Sequence, residues 1–400
     1  MSGFSGLRTS EINRTISTDL KGTAMNKTHI ALAIAALMPA AAAMADVTIY
    51  GEIRGGYEYN KTYRSNTSLD SNGKPQGNSQ INDWTSRIGF KGNEDLGNGL
   101  KAIWQVENRV NIDGSESSGF NTRDSFIGLA GDSWGKFRLG RLSNYANDSM
   151  EQVDPGYYSS QSVGGLAYFT RLDDRVNNAI RYDSPNWAGF SFAFLYGTDE
   201  ARGASTDGSR TNRQTWNLGL SYENSGFFGK YNYQNWGDAD KALVSGGRSS
   251  NKDWHRFEGG YMANNIYAVL GYQQIRGYID GTAGVYADTK GVLYNKAAFN
   301  ALTAGSSNLD VSKEVKTREL ALTLGYTFGS LTPYFSYVKG YDISVGGSDV
   351  NNSGYDQYVL ALDYALSKRT EVYTSYGHVK WKGNNVEKEN SFGLGLVHRF

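Results

Sequence analysis

Apolar residues alternate with polar or small residues in short segments along almost the whole chain. Successive side chains of a β-strand point to opposite faces, so a period of two predicts strands with one apolar face. The clearest runs are Phe190 to Tyr196, Trp216 to Tyr222, Leu320 to Phe328, Tyr358 to Tyr364 and Phe392 to Phe400. After Ala45 no segment is long and apolar enough for a transmembrane helix. We therefore predict an all-β fold.

The connections between these segments alternate between short and long. Short connections lie at Asn93 to Asn98, Asp132 to Trp134, Pro185 to Ala188, Asn264 to Asn265 and Leu366 to Arg369. Long polar connections lie near 60 to 82, 142 to 177, 198 to 213, 238 to 251, 278 to 315 and 342 to 355. Barrels of the outer membrane have short periplasmic turns and long extracellular loops. This pattern predicts a transmembrane antiparallel β-barrel of about sixteen strands, with both ends on the periplasmic side.

Aromatic residues near the predicted strand ends suit the two interfacial girdles of such a barrel. They are Tyr57, Tyr59, Trp84, Trp187, Tyr196, Trp216, Tyr341 and Trp381. A strand protein can span lipid only when it is closed, because every backbone group must be satisfied internally. A secreted β-sandwich or lectin would alternate equally well, but its loops would not sort so regularly into long and short.

Composition excludes some other classes. The 400 residues include 49 Gly and 28 Tyr spread over the chain, and the mean hydropathy of −0.52 leaves no obvious large core for two soluble domains. The 40 basic and 40 acidic residues balance, which gives no sign of nucleic-acid binding. The absence of cysteine fits a chain that crosses an oxidising periplasm.

The N-terminal region has the pattern of an export signal. From Met25 a short basic stretch leads into apolar residues 30 to 43, followed by Ala43-Met44-Ala45 at the cleavage positions. A membrane anchor is the alternative, but the stretch is shorter than the ~20 residues a spanning helix needs. We predict that 25–45 is a signal peptide, that 46–400 is the barrel, and that 1–24 is an upstream extension absent from the mature protein.

An outer-membrane hydrolase is the main rival from another class. It would need a serine with a histidine base, and His255, His378 and His398 do not accompany a G-x-S-x-G motif. The sequence also carries no metal-binding or phosphate-binding motif, so we predict neither enzymatic activity nor a cofactor. A channel specific for a sugar or a particular anion stays open as an alternative, because the long connection near 142 to 177 contains Tyr157, Tyr158, Tyr168 and Phe169.

Several segments carry a family resemblance. They are DVTIYGEI at the predicted mature start, TSRIGFKGNEDLGNGLKAIWQVE from Thr85 to Glu107, RDSFIGLAGDSWGKFRLGRL from Arg123 to Leu142, NNAIRYDSPNWAGFSFAFLYG from Asn177 to Gly197, and the terminal LGLVHRF. Together they resemble the general porins of Gram-negative bacteria, most closely the trimeric porins of Neisseria and related β-proteobacteria. The resemblance implies a homotrimer in the outer membrane. It also implies that Phe400 is the signal read by the barrel-assembly machinery.

The resemblance further implies a third loop, from Ser143 to about Val176, that folds inward and narrows the pore. On one wall of such pores stands an arginine cluster, which matches Arg87 in SRIGFKG, Arg141 in LGR and Arg181 in AIRYDSP. In the family, acidic residues on the loop face this cluster. The loop departs from the family pattern at VDPGYY, where no carboxylate follows the proline, and Glu151 and Asp154 are the nearest substitutes.

Strand parity extends the basic lining. Arg87 and Arg181 fall on the inward face of their strands, and the same parity adds Arg54, Lys91, Lys101 and Arg138. Opposed charges set a field across a narrow wet pore, and basic residues there favour anions. The sequence therefore predicts a water-filled channel for passive diffusion of ions and small hydrophilic solutes, with some anion preference.

Overall fold

The structure is a computed structural model of the full chain. It describes residues 46–63, 70–71, 73–115, 122–156, 163–198, 204–240, 251–278, 291–294, 313–384 and 386–400. The predicted signal peptide (25–45) and upstream extension (1–24) lie outside these residues.

Within the described residues, nineteen strands form one sheet. The first nine are β1 (Asp46–Lys61), β2 (Asn78–Asp83), β3 (Arg87–Gly97), β4 (Leu100–Arg109), β5 (Ser125–Gly131), β6 (Gly135–Ser143), β7 (Arg175–Asp183), β8 (Phe190–Gly197) and β9 (Thr215–Asn224). The others are β10 (Phe227–Trp236), β11 (Asn251–Ala263), β12 (Ile266–Gly277), β13 (Val315–Tyr326), β14 (Leu331–Gly340), β15 (Ser344–Val345), β16 (Ser348–Asp349), β17 (Tyr355–Ala365), β18 (Thr370–Trp381) and β19 (Glu389–Arg399).

The sheet closes on itself as a barrel of 16 strands. Strand β1 pairs antiparallel with β19 along Glu52–Lys61, which joins the two ends of the sheet. Strands β2 and β3 both pair with β1 and form one barrel strand with a break between them, while β15 and β16 make a small hairpin within a loop. Closure leaves no open edge among the described barrel strands, as a strand protein in lipid requires. The predicted fold class is confirmed.

The turns and loops have the predicted asymmetry. Turns at one end of the barrel are short, and two that the sequence analysis did not single out are Ser225-Gly226 and the turn from Thr327 to Ser330. Asn264 and Asn265, which form the β11–β12 turn, have φ of 53° and 65°, a left-handed pair that a tight hairpin turn needs. The loops at the other end are long. Loop three comprises residues 144–174, between β6 and β7, and forms part of the candidate functional site.

The outer face of the barrel is apolar. On β12, for example, Leu270 is 51% exposed, whereas its neighbour Val269 points inward and is 1% exposed. Of the aromatic residues assigned to the girdles, Tyr57, Tyr59, Trp187 and Trp216 are exposed on this face. The assignment of Trp84 and Trp381 was wrong, since these side chains are only 1% and 5% exposed. Both point inward, where Trp84 packs on Tyr373 and Trp381 packs on loop three.

A bulge between β2 and β3 explains the position of Trp84. Gly55 pairs with Asp83 and Glu52 pairs with Arg87, so three residues of one strand face two of the other. Thr85, at the centre of the bulge, has a φ of 67°, which is rare for a β-branched residue. The carboxylate of Asp83 accepts hydrogen bonds from the backbone of Thr85 (3.0 Å) and Ser86 (3.2 Å) and stabilises this conformation.

Among the described residues the single α-helix is α1 (Tyr145–Ser149), at the start of loop three. Asn144 caps it by accepting a hydrogen bond from the backbone of Asn147 at 2.9 Å. No described helix has the length and apolar character to cross a bilayer.

Candidate functional site

Loop three packs against the inner face of the barrel wall. Three residues in the first described part of the loop, 144–156, here called the first limb, accept hydrogen bonds through their main-chain carbonyls. Arg256 donates to Met150 (2.9 Å), Tyr267 donates to Gln152, and Thr323 donates to Val153 (2.5 Å). The donors lie on β11, β12 and β13, so the loop reaches strands far from β6 and β7, which carry it.

The second described part of the loop, residues 163–174, here called the return limb, is held in the same way. Gln357 on β17 donates to the carbonyls of Val163 (3.1 Å) and Gly165 (2.7 Å), and Gln273 on β12 donates to that of Phe169 (2.7 Å). Tyr168 donates to both carboxylate oxygens of Glu389 on β19, at 2.8 and 2.9 Å. These contacts hold the loop on strands β11 to β13, β17 and β19.

A buried ion pair adds to this attachment. Arg171 of loop three lies 2.5 Å from Glu319 on β13, and both side chains are fully buried. The same guanidinium donates to Thr317 (3.1 Å) and to the carbonyl of Gly291 (3.2 Å) in the loop between β12 and β13. Removing one member of such a pair would leave a buried charge without its partner, which typically costs about 3–5 kcal/mol.

The loop also contributes apolar side chains to a core inside the barrel. Members from the loop and from inward-facing strand positions are Met150, Val153, Leu166, Tyr168, Phe169, Trp254, Val269, Ile275, Val338, Tyr355 and Trp381. Two inward-facing glycines allow close approach, since a Cβ at Gly219 would overlap the ring of Tyr145 and a Cβ at Gly377 would overlap the carbonyl of Val163. The part of the lumen beside β11 to β19 is therefore filled.

A cavity, called the passage below, lies between loop three and the wall formed by β1 to β7. Its volume is about 650 Å³. Its basic lining residues are Arg54, Arg87, Arg109, Arg123, Lys136, Arg138, Arg171 and Arg175. Its acidic lining residues are Glu107, Asp124, Asp148, Glu151, Asp154, Asp173 and Asp174. The basic and acidic residues are not mixed at random around the cavity, because five of the seven acids belong to loop three.

Most of the wall arginines have a carboxylate behind them. Arg87 lies 2.5 Å from Glu52, Arg123 lies 2.5 Å from Glu107, and Arg175 lies 2.5 Å from Asp124. Glu52 and Glu107 are more buried than the arginines they hold. The carboxylates thus fix the guanidinium groups, which present the charge nearest to the water of the passage.

Glu151 is exposed towards this wall. The positive charges that act on its carboxylate include those of Arg54, Arg87 and Arg123. Asp154 is buried beneath it and accepts a hydrogen bond from the backbone of Leu166 at 2.9 Å. Burial raises the pKa of Asp154 to about 7. The passage therefore has a basic wall on one side and acidic groups on the other, among them Asp154 with its raised pKa.

The three arginines matched to the family cluster have different surroundings. Arg87 borders the passage. Arg181 is 2% exposed and is paired with Asp148 and Asp183, each at 2.7 Å, so it fastens the start of loop three. Arg141 lies at a bulge in β6, between Gly140 and Leu142, where it donates to the carbonyl of Thr122 at 3.3 Å and contacts Asn177. A constriction role for Arg181 and Arg141 stays a prediction, and neither side chain borders the described cavity.

The other predicted basic residues also divide into two groups. Arg54, which is paired with Glu52, and Arg138, which lies 2.6 Å from Asp183, border the passage. Lys91 lies over the ring of Tyr50, 5.0 Å from its centre, and Lys101 pairs in register with Asp95 near the β3–β4 turn. These two lysines are on the inner face but away from the described cavity.

Sequence reasoning missed several residues of the site. Arg109 lies on the inward parity of β4 and could have been found, whereas Arg123 and Arg175 lie at loop ends, where parity gives no direction. Tyr168 and Phe169, considered as aromatic contacts for a specific solute, are buried in the core. Tyr157 and Tyr158 lie outside the described residues.

Phe400 lies at the closure of the barrel. Its backbone N–H donates to the carbonyl of Gly51 at 3.0 Å and its carbonyl accepts from the N–H of Gly51 at 3.1 Å. Its ring is 44% exposed. The terminal residue therefore extends the pairing of β1 and β19 by one more step.

A closed barrel of 16 antiparallel strands, apolar outside and charged within, defines a channel protein of the outer membrane. The family model for Gram-negative porins matches residues 31–384, and the chain belongs to this family. It is similar to the major outer membrane protein P.IB of Neisseria sicca, with 35% identity over 397 residues that cover 94% of this chain and 100% of that one. The protein is thus an outer-membrane porin, a passive channel and not an enzyme.

Solved structures support the same fold. The anion-selective porin from Comamonas acidovorans has a TM-score of 0.66 at 22% identity and covers 89% of this chain and 100% of that one. The trimer form of OmpT from Vibrio cholerae has a TM-score of 0.57 at 16% identity and covers 89% and 99%. At these identities the likeness concerns the fold alone.

Proposed function

We propose that this porin prefers anions and that the preference arises in the passage between loop three and the basic wall. The observation that carries the proposal is the order of charges on that wall. The guanidinium groups of Arg54, Arg87 and Arg123 are more exposed than the carboxylates that hold them. Rings of basic side chains favour anions in narrow pores, because the field acts over a short distance in a confined volume.

The acids of loop three oppose this preference but do not cancel it. Asp148 is paired with Arg181 and Asp173 is paired with Arg256, and Asp154 is partly protonated near neutral pH. Glu151 is exposed and borders the passage. The structural relative from Comamonas acidovorans is described as anion-selective, which is consistent with the proposal.

A planar-bilayer recording across a salt gradient tests it. The purified mature protein should give a reversal potential of the sign that anion permeation produces, and the preference should weaken in concentrated salt. Charges are screened over about 8 Å at physiological ionic strength and over about 3 Å at 1 M. A reversal potential of the opposite sign in dilute salt would contradict the proposal.

We further propose that the protein assembles as a homotrimer. The aliphatic side chains of Val47, Ile49, Ile81 and Ile127 are 57 to 65% exposed and lie on the outer face of β1, β2 and β5. The described form of the Vibrio cholerae relative is a trimer. Ile127→Arg should reduce the trimer that survives mild detergent, whereas Leu360→Arg, at a similarly exposed site on β17, should not. Equal loss in both variants would point to general destabilisation in lipid instead.

We also infer that 25–45 is removed on export, that 1–24 is not part of the mature protein, and that the barrel-assembly machinery reads Phe400. The sequence pattern of 25–45 supports the first point. N-terminal sequencing of the protein from outer membranes should begin at Asp46. A start at Met1 would contradict both the cleavage and the extension.

A further inference from the structure

Arg256 contacts both limbs of loop three. It lies on β11, and its side chain is fully buried. Nη2 donates to the carbonyl of Met150 at 2.9 Å, and Nη1 donates to both carboxylate oxygens of Asp173, at 2.7 and 2.9 Å. Met150 is near the beginning of the loop and Asp173 is near its end, so one side chain joins the two limbs to the wall.

Two further contacts fix this guanidinium. Glu258, on the same inner face of β11, lies 2.5 Å from Nη2. The ring of Phe169 lies below the guanidinium, 4.7 Å from its central carbon. Arginine suits this place because its planar group offers five donors in a fixed geometry, whereas lysine offers a single compact charge.

The clamped residues are directly joined to residues of the passage. Glu151 follows Met150, and Asp174 follows Asp173, and both of these acids border the cavity. Arg256 itself does not border the described cavity. It can therefore affect permeation by fixing where the loop, with its acids, lies opposite the basic wall, and through the charge that it places near Glu151.

We propose that Arg256 is a positioning residue that sets the width of the passage and limits its fluctuation by holding both limbs of loop three. Its charge also balances the carboxylates of Asp173 and Glu258. The clamp and the charge are separate effects. The first concerns the geometry of the passage and does not depend on the ion preference proposed above.

Single-channel recording of Arg256→Lys and Arg256→Met separates the two effects. Arg256→Lys keeps the charge but cannot bond to both limbs, so we expect a broader conductance distribution, more open-channel noise and closure at lower voltage, with the wild-type reversal potential. Arg256→Met should show the same changes and also a reversal potential shifted towards cations. Arg276→Met is the matched control, because Arg276 on β12 is paired with Asp253 at 2.7 Å and Glu314 at 3.8 Å, away from loop three.

A triple variant covers the case in which unpaired buried charges prevent assembly. Arg256→Met with Asp173→Asn and Glu258→Gln removes all three charges together, and replacing a whole buried charge cluster is often tolerated. We expect this variant to assemble as the wild type does and to keep the broad, noisy conductance. Wild-type conductance, noise and closure voltage in Arg256→Lys or in the assembled triple variant would overturn the proposal.

Discussion

Arg87 presents its guanidinium to the passage while Glu52, 2.5 Å away, lies behind it and is nearly buried. The pair is therefore polarised, with the positive charge nearer to the permeating ions. Neighbouring wall pairs repeat this order, as described for Arg123 and Glu107. The wall can act as a basic surface although the chain as a whole has a formal net charge of +0.

Replacement of Arg87 by Gln should move the reversal potential towards cations. A unit charge about 6 Å away in water changes the energy of an ion by roughly 0.7 kcal/mol, a factor of about three in local concentration. Bilayer recording in dilute salt measures the change. Lys368→Gln, in the exposed β17–β18 turn, removes an equal charge away from the passage and should leave the potential unchanged. Glu151→Gln should shift it the other way, and shifts of the same sign in both variants would refute the assignment.

Acidification should strengthen anion preference through Asp154. Burial raises the pKa of this carboxyl to about 7, so it is mostly neutral at pH 6 and mostly charged at pH 8. Lowering the pH through this range removes a negative charge from loop three, and the reversal potential should move towards anions. Asp154→Asn should abolish this part of the pH dependence. An unchanged pH profile in that variant would show that another group titrates.

The raised pKa of Asp154 also predicts how the stability of the barrel depends on pH. The folded pKa of Asp154 is above its unfolded value of about 3.8, so the neutral group contributes stability that is fully present below pH 4 and is lost as the pH rises through 7. Asp154→Asn should remove this loss. The temperature at which the folded barrel denatures, measured at pH 5 and pH 8, should then differ less between the two pH values in the variant than in the wild type.

Gly377→Val should narrow the passage. A side chain there would overlap the carbonyl of Val163 and push the return limb of loop three away from β18. Overpacking of this kind costs about 1–3 kcal/mol. We expect a lower single-channel conductance. Gly229→Val on β10 is the control, because a Cβ there meets nothing within 4 Å, and a similar loss of conductance in both variants would show a general strand effect.

Deletion of Phe400 should slow barrel formation. It removes the two backbone hydrogen bonds with Gly51 as well as the terminal ring. Phe400→Ala keeps the hydrogen bonds and removes only the ring, so comparing the yields of heat-modifiable barrel in cells separates closure from recognition. Normal assembly of the Ala variant together with slow assembly of the deletion would remove the aromatic side chain from its proposed role.

The sequence alone was sufficient for the fold because each barrel strand obeys one rule. Val269 and Leu270 differ in exposure because successive side chains of a strand point to opposite faces of the barrel. This alternation can be read directly from the sequence. The rule fails where the backbone departs from regular pairing. The bulge at Thr85 turns Trp84 inward, and the interior core receives Trp381, so both tryptophans were misplaced among the girdle residues.

The site was less predictable for the same physical reason. Arg54, Arg87 and Arg138 lie on regular strands, and parity placed them on the face that borders the passage. The directions of Arg123 and Arg175 depend on loop backbone, and the burial of Arg181 depends on Asp148, which the fold of loop three brings to it. Contacts between distant parts of the chain, such as Arg256 with Asp173, leave no local pattern in one sequence.

The attachment of loop three through main-chain carbonyls has a consequence for how such a channel can evolve. The wall bonds to the backbone of Met150, Val153 and Phe169, and a carbonyl is present whatever side chain a position carries. Mutations of the pore-facing residues between these points, Glu151 among them, can therefore accumulate without releasing the loop. Solute preference can drift under selection while the scaffold that displays it is inherited unchanged.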